Sequence, residues 1–139
     1  MFTLIAGLVL GSAIAPDHPP VALQHRGRAV TATYRPAVRV AHRQIGSTAP
    51  GGRAATLRCV WTASIAVERH ARRDDGLTVV RHLAADSVTG SRPGWCSKTV
   101  RVDTARIDAH VRQQVAAAAA ADDTSLLADL DAAHDRVAG

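Results

Sequence analysis

Glu68 is the only glutamate in the chain, and His70 follows it two positions later. In a strand those two side chains share a face. His82 lies beyond Asp74-Asp75-Gly76, a hairpin signal, and falls on the same face of the next strand. A carboxylate beside an imidazole can pass a proton. Glu68 with His70 or His82 is therefore the arrangement that a small hydrolase-like or metal-dependent enzyme would use. On so Arg-rich a strand, the same residues read first as a solvated charge pair, and the expectation is a protein that is not an enzyme.

Other searches for chemistry give less. The seven histidines are His18, His25, His42, His70, His82, His110 and His134. None are paired at the i,i+4 helical or alternate-strand spacing that gathers metal ligands, so neither a metal nor a cofactor is expected. Gly46, Gly51 and Gly52 resemble a phosphate loop only superficially, because Arg53-Ala54 stands where Lys-Ser/Thr must hold phosphate and magnesium. "GSRPG" places its serine second, so it is no nucleophile elbow.

Two cysteines, Cys59 and Cys96, form no CxxC or metal-type cluster. The first fifteen residues, "MFTLIAGLVLGSAIA", are uncharged and apolar and end in Ala13-Ile14-Ala15, the small-residue pattern of a secretory signal. They read as a signal peptide, cleaved after Ala13 or Ala15. The apolar run is too short to span a bilayer, and no transmembrane span is expected in the mature chain. The expected location is the periplasm or the exterior, where two cysteines most simply form a disulfide. Closing a loop of about 38 residues stabilises the fold by roughly 4 kcal/mol on the chain-entropy model. Cys59 falls in the apolar row of its strand, so its sulfur should be a buried staple with Trp61 and Trp95 packed around it.

Charge is the remaining functional signal. Of seventeen cations only Lys98 is not arginine, and residues 16–73 hold ten of the arginines against Asp17 and Glu68. Residues 122–139 reverse this, with five aspartates against Arg136. Arg35, Arg39, Arg58, Arg69, Arg72 and Arg73 are the candidate anion-binding residues, since guanidinium forks suit phosphate and carboxylate. Aromatic stacking platforms for nucleic acid are scarce: beyond the signal only Tyr34, Trp61 and Trp95 remain. An exported chain would meet an anionic envelope component or a protein partner, and no nucleic acid is expected.

The elements that must position these residues follow from hydrophobic period. Residues 16–28 are proline-rich and read as an extended arm or linker, ahead of one small domain at 29–139. Val30, Ala32, Tyr34, Val38 and Val40 alternate along a strand in which Pro36 cannot donate to a ladder, so it is an edge strand or breaks there. Residues 45–54 read as a loop. The central strand spans about 56–70, with Leu57, Cys59, Trp61, Ala63, Ile65 and Val67 on one face. A three-residue turn with left-handed Gly76 would pair Val67 with Leu83, Glu68 with His82 and Arg69 with Arg81. A register shifted by one would pair Glu68 with Arg81. Residues 86–97 read as a turn-rich return. Asp103 is the expected N-cap of a helix buried at Ile107, Val111, Val115 and Ala118. Asp122 and Asp123 suit a helix start better than a helix end, so a second helix should carry Leu126, Leu130, Ala133 and Val137; one continuous helix is the alternative. The fold class expected is α+β: a small antiparallel sheet of about three strands (29–100), covered by one or two C-terminal helices (103–139), with one disulfide.

Overall fold

The structure, a computed structural model, describes residues 18–48, 56–96 and 102–139. The expected export segment 1–15 and most of the loop at 45–54 lie outside the described residues. Four antiparallel strands follow in order: β1 (Val21–His25), β2 (Arg28–Ile45), β3 (Arg58–Arg73) and β4 (Thr78–Pro93). Helices α1 (Thr104–Ala121) and α2 (Asp123–Ala138) complete an α+β fold. The sheet thus has one strand more than the expected three. The addition is β1, drawn from the segment read as an arm; it pairs with β2 from Val21↔Ala32 to His25↔Arg28.

Pro36 does not break β2. Asp74 N–H donates to the Ala29 carbonyl, which directs the odd-numbered amides of β2 toward β3 and the even-numbered ones away. The nitrogen of Pro36 therefore faces the edge that β1, ending opposite Ala32, leaves uncovered, and no ladder bond is lost.

Between β3 and β4 the turn is the expected one. Gly76 has φ +94° and its N–H donates to Arg73 C=O at 2.9 Å. Glu68 faces His82 and Arg69 faces Arg81, but a bulge between Val67 and Glu68 sets Val67 opposite Ala84 rather than Leu83. The sequence from Asp86 onward is strand as far as Pro93, not a turn-rich return. Its Gly90 is there for contact: a Cβ would lie 2.3 Å from the Trp61 ring. Pro93 sits harmlessly at the end of an edge strand.

The helices cover one face. Val30, Ala32 and Tyr34 of β2, Trp61, Ala63, Ile65, Val67 and Ala71 of β3, and Val79 and Val88 of β4 pack against Ile107, Val111 and Val115 of α1 and Leu126, Leu130 and Ala133 of α2. Val137, expected in that helix face, is exposed. Asp103 caps α1 through Arg106 N–H at 3.0 Å, and the helices divide at Asp122.

Cys59 and Cys96 are disulfide-bonded, with Cys59 buried as its place in the apolar row required. Trp61 is buried nearby in the core, but Trp95 does not pack around the staple: it is 64% exposed. Cys96 lies beyond the end of β4.

Candidate anion-binding sheet face

The face of the sheet opposite the helices is built from the odd-numbered residues of β2 and the even-numbered residues of β3. Strand pairing sets its side chains in rows: Arg35 beside Glu68 and His82, Ala37 beside Ala66 and Ala85, Arg39 beside Ser64 and Ser87, and Ile45 beside Arg58 and Pro93. Thr31 lies beside Arg72, and Arg43 beside Val60. Small side chains in the middle rows leave a cavity of about 730 Å³, lined among others by Ala37, Arg39, Ser64, Ala66 and Ser87.

Four of the six candidate arginines, Arg35, Arg39, Arg58 and Arg72, stand exposed on this face. Arg43 joins them; its parity matches Arg35 and Arg39, which is the signal by which it could have been included. Among the described residues Arg35, Arg39, Arg43 and Arg72 have no hydrogen-bond or ion-pair partner. Arg58 donates to the Ser91 hydroxyl at 2.9 Å from Nη2 and meets no carboxylate among the described residues. Among the described residues five guanidiniums thus share the face with one acid, Glu68. Along β2, Arg35 and Arg43 lie about 27 Å apart at the usual strand rise.

Glu68 is where the sequence placed it. His70 Nε2 bonds one of its oxygens, and His82 Nε2 lies 3.5 Å from the other. Among the described residues no group of three or more His, Cys, Asp or Glu side chains is arranged to hold a metal ion.

Arg69 and Arg73 do not belong to this face. They continue the odd-numbered apolar row of β3 toward the helices and are buried. Arg69 Nη1 donates to Asp122 Oδ1 at 2.7 Å, and Nη2 bonds Asp129. Burial works to lower the Arg69 pKa, but the bonds to Asp122 and Asp129 outweigh it and hold it above its ordinary value. Tyr34 donates its hydroxyl to Asp122 Oδ2 at 2.8 Å. Burial, reinforced by that carboxylate, pushes the phenol well above its usual range.

Arg73 forks onto Asp75 at 2.8 and 2.7 Å, and this bond draws the Asp75 carboxyl well below the usual carboxylate range. Its Nη1 reaches His25 Nδ1 at 3.0 Å and His134 Nδ1 at 3.2 Å. A guanidinium only donates, so His25 accepts at Nδ1 and donates from Nε2 to Asp131 at 2.8 Å. That bond in turn lowers the Asp131 pKa. Asp122 and Asp129 are thus the partners of buried Arg69, while Asp131 reaches Arg73 only through His25.

No protein-family model, curated protein or solved structure matches the chain. Among the described residues no helix is long and apolar enough to cross a membrane.

Proposed function

We propose that the protein is an exported, non-enzymatic binding module of the cell envelope that engages an anionic partner through its outer sheet face. One observation carries this reading: the arginines of β2 and β3 divide by face. Arg69 and Arg73, on the helix side, are ion-paired to aspartates. Arg35, Arg39, Arg43, Arg58 and Arg72, on the outer side, have no carboxylate partner among the described residues. Guanidiniums left unneutralised on one open surface raise the local concentration of anions and bind them by paired N–H donors.

Export is supported by the disulfide and by the signal-like residues 1–15. Intact mass of the native protein, before and after reduction, tests it: loss of the first 13 or 15 residues with both thiols blocked is expected, and a full-length chain with free thiols refutes it. Binding is tested by titrating the disulfide-intact protein against anionic vesicles and a soluble sulfated glycan across ionic strength. Salt-sensitive binding that Arg35→Gln/Arg39→Gln/Arg58→Gln weakens, with the fold retained, is the expected result. Unchanged binding in that variant rejects the assignment.

A second reading, a small hydrolase-like or metal-dependent enzyme, is favoured by the two imidazoles that reach Glu68. Turnover abolished by Glu68→Gln with the fold intact would establish it.

A further inference from the structure

We propose that the anionic partner is a phospholipid bilayer surface, and that Trp95 enters its headgroup layer while Arg43 and Arg58 bind the lipid phosphates beside it. This rests on the anion-binding reading and goes beyond it by naming the partner and the anchor.

The chain has two tryptophans. Trp61 is core, whereas Trp95 is 64% exposed, and its backbone is held firmly on both sides. Gly94 N–H donates to the Leu57 carbonyl at 2.8 Å. The Gln44 side chain bridges the tryptophan: its Nε2 donates to Gly94 C=O at 3.1 Å, and its Oε1 accepts from Cys96 N–H. The same Nε2 donates to the Arg58 carbonyl at 3.0 Å, and Cys96 is tied to Cys59. An exposed indole between two clamped residues is an anchor whose ordering is already paid for in the fold.

Its surroundings decide the partner. Ile45, 38% exposed, pairs with Arg58, which in turn faces Pro93 at the end of β4 just before Trp95. Arg43 lies two residues before Ile45, on the same face. One end of the sheet therefore presents an indole and a branched aliphatic with two unneutralised guanidiniums. Indole rings settle at the headgroup level of a bilayer, and guanidinium forks match phosphate. Stable attachment at a membrane surface takes an apolar and a basic element together. Trp95 is not among the residues lining the outer-face cavity, and the soluble glycan in the test separates stacking of the ring on a sugar from its entry into a bilayer.

The test uses the full disulfide-bonded protein with phosphatidylcholine vesicles, with and without phosphatidylglycerol, and a soluble sulfated glycan. Tryptophan emission is recorded in each. With phosphatidylglycerol present, emission should shift to the blue and be quenched by a lipid-borne quencher; Trp95→Phe, which leaves only buried Trp61, should show neither. Trp95→Ala should bind those vesicles about tenfold more weakly. Arg43→Gln/Arg58→Gln should bind about 30-fold more weakly, two surface charges being lost. Vesicle binding with Trp95 emission unmoved overturns the insertion while leaving the anion-binding reading intact. Binding to the glycan but not to vesicles overturns the choice of lipid. Binding to neither overturns the anion-binding reading itself, and this inference with it.

Discussion

Tyr34 and Asp122 stand 88 positions apart in sequence, yet the Tyr34 hydroxyl donates to Asp122 Oδ2 at 2.8 Å inside the fold. Asp122 also takes the fully buried Arg69 at 2.7 Å. One carboxylate at the junction of two helices thus joins β2, β3 and the helical layer. The same residue ends α1 and begins α2.

Removing that carboxylate leaves a buried guanidinium short of a partner. Asp122→Asn should cost about 3–5 kcal/mol, whereas Tyr34→Phe, which removes a hydrogen bond and no charge, should cost about 1 kcal/mol. Arg69→Leu combined with Asp122→Leu should cost less than the two single changes summed, because neither charge is then stranded. Urea denaturation of the four variants and the double checks this; additive losses would show that the pair is not coupled.

The disulfide should account for much of the stability. Reduction, or Cys59→Ala/Cys96→Ala, should lower the unfolding free energy by roughly 4 kcal/mol on the chain-entropy model, read as a shifted urea midpoint. An unmoved midpoint would mean that the hydrogen bonds around Gln44 hold the sheet end without it.

Gly90 allows β4 to run against the Trp61 ring, whose Cζ2 would lie 2.3 Å from an added Cβ. Gly90→Ala should therefore destabilise by about 1–3 kcal/mol through overpacking and shift the emission of Trp61. Trp95, outside the core, should report no change.

Acid should weaken the hairpin end. The Asp75 carboxyl is held low by Arg73, and the Asp131 carboxyl by His25. A folded pKa below the unfolded value gives stability that is fully present above the unfolded pKa and lost as pH falls through the folded one. Melting temperature should accordingly decline below about pH 5 from these groups. Asp75→Asn should melt lower than wild type at neutral pH, and the difference should shrink in acid. A constant difference across pH would remove Asp75 from the account.

Much of this architecture was legible in alternation and helical period. The apolar row of β3, the Gly76 turn, the Asp103 cap, the division at Asp122 and the cysteine pairing all follow from local rules that the packing then respects. What misled was polarity. Arg69 and Arg73 look like surface residues by type, but parity continues them from Cys59, Trp61 and Val67 into the covered row, where Asp122 and Asp129 neutralise Arg69 and Asp75 neutralises Arg73. Parity carried through would have found both. Gly90 and Pro93 read as turn residues because sequence shows their backbone freedom and not the Trp61 ring or the strand end they meet. Exposure of Trp95 had no sequence signal, since apolar character alone assigns tryptophan to the core. Glu68, His70 and His82 converged as their shared face required, and the outer arginines kept their side except for the two that parity moves.

The most direct test of the anion-binding face compares two variants with equal loss of charge. Arg35→Gln/Arg39→Gln/Arg58→Gln removes three cations from the outer face; Arg92→Gln/Arg106→Gln/Arg136→Gln removes three from elsewhere. Both are titrated at one ionic strength against vesicles containing phosphatidylglycerol, with melting temperatures measured in parallel. The outer-face variant should bind at least about tenfold more weakly than wild type while the other stays close to it. Equal weakening in both would show attraction by net charge alone and contradict a dedicated face.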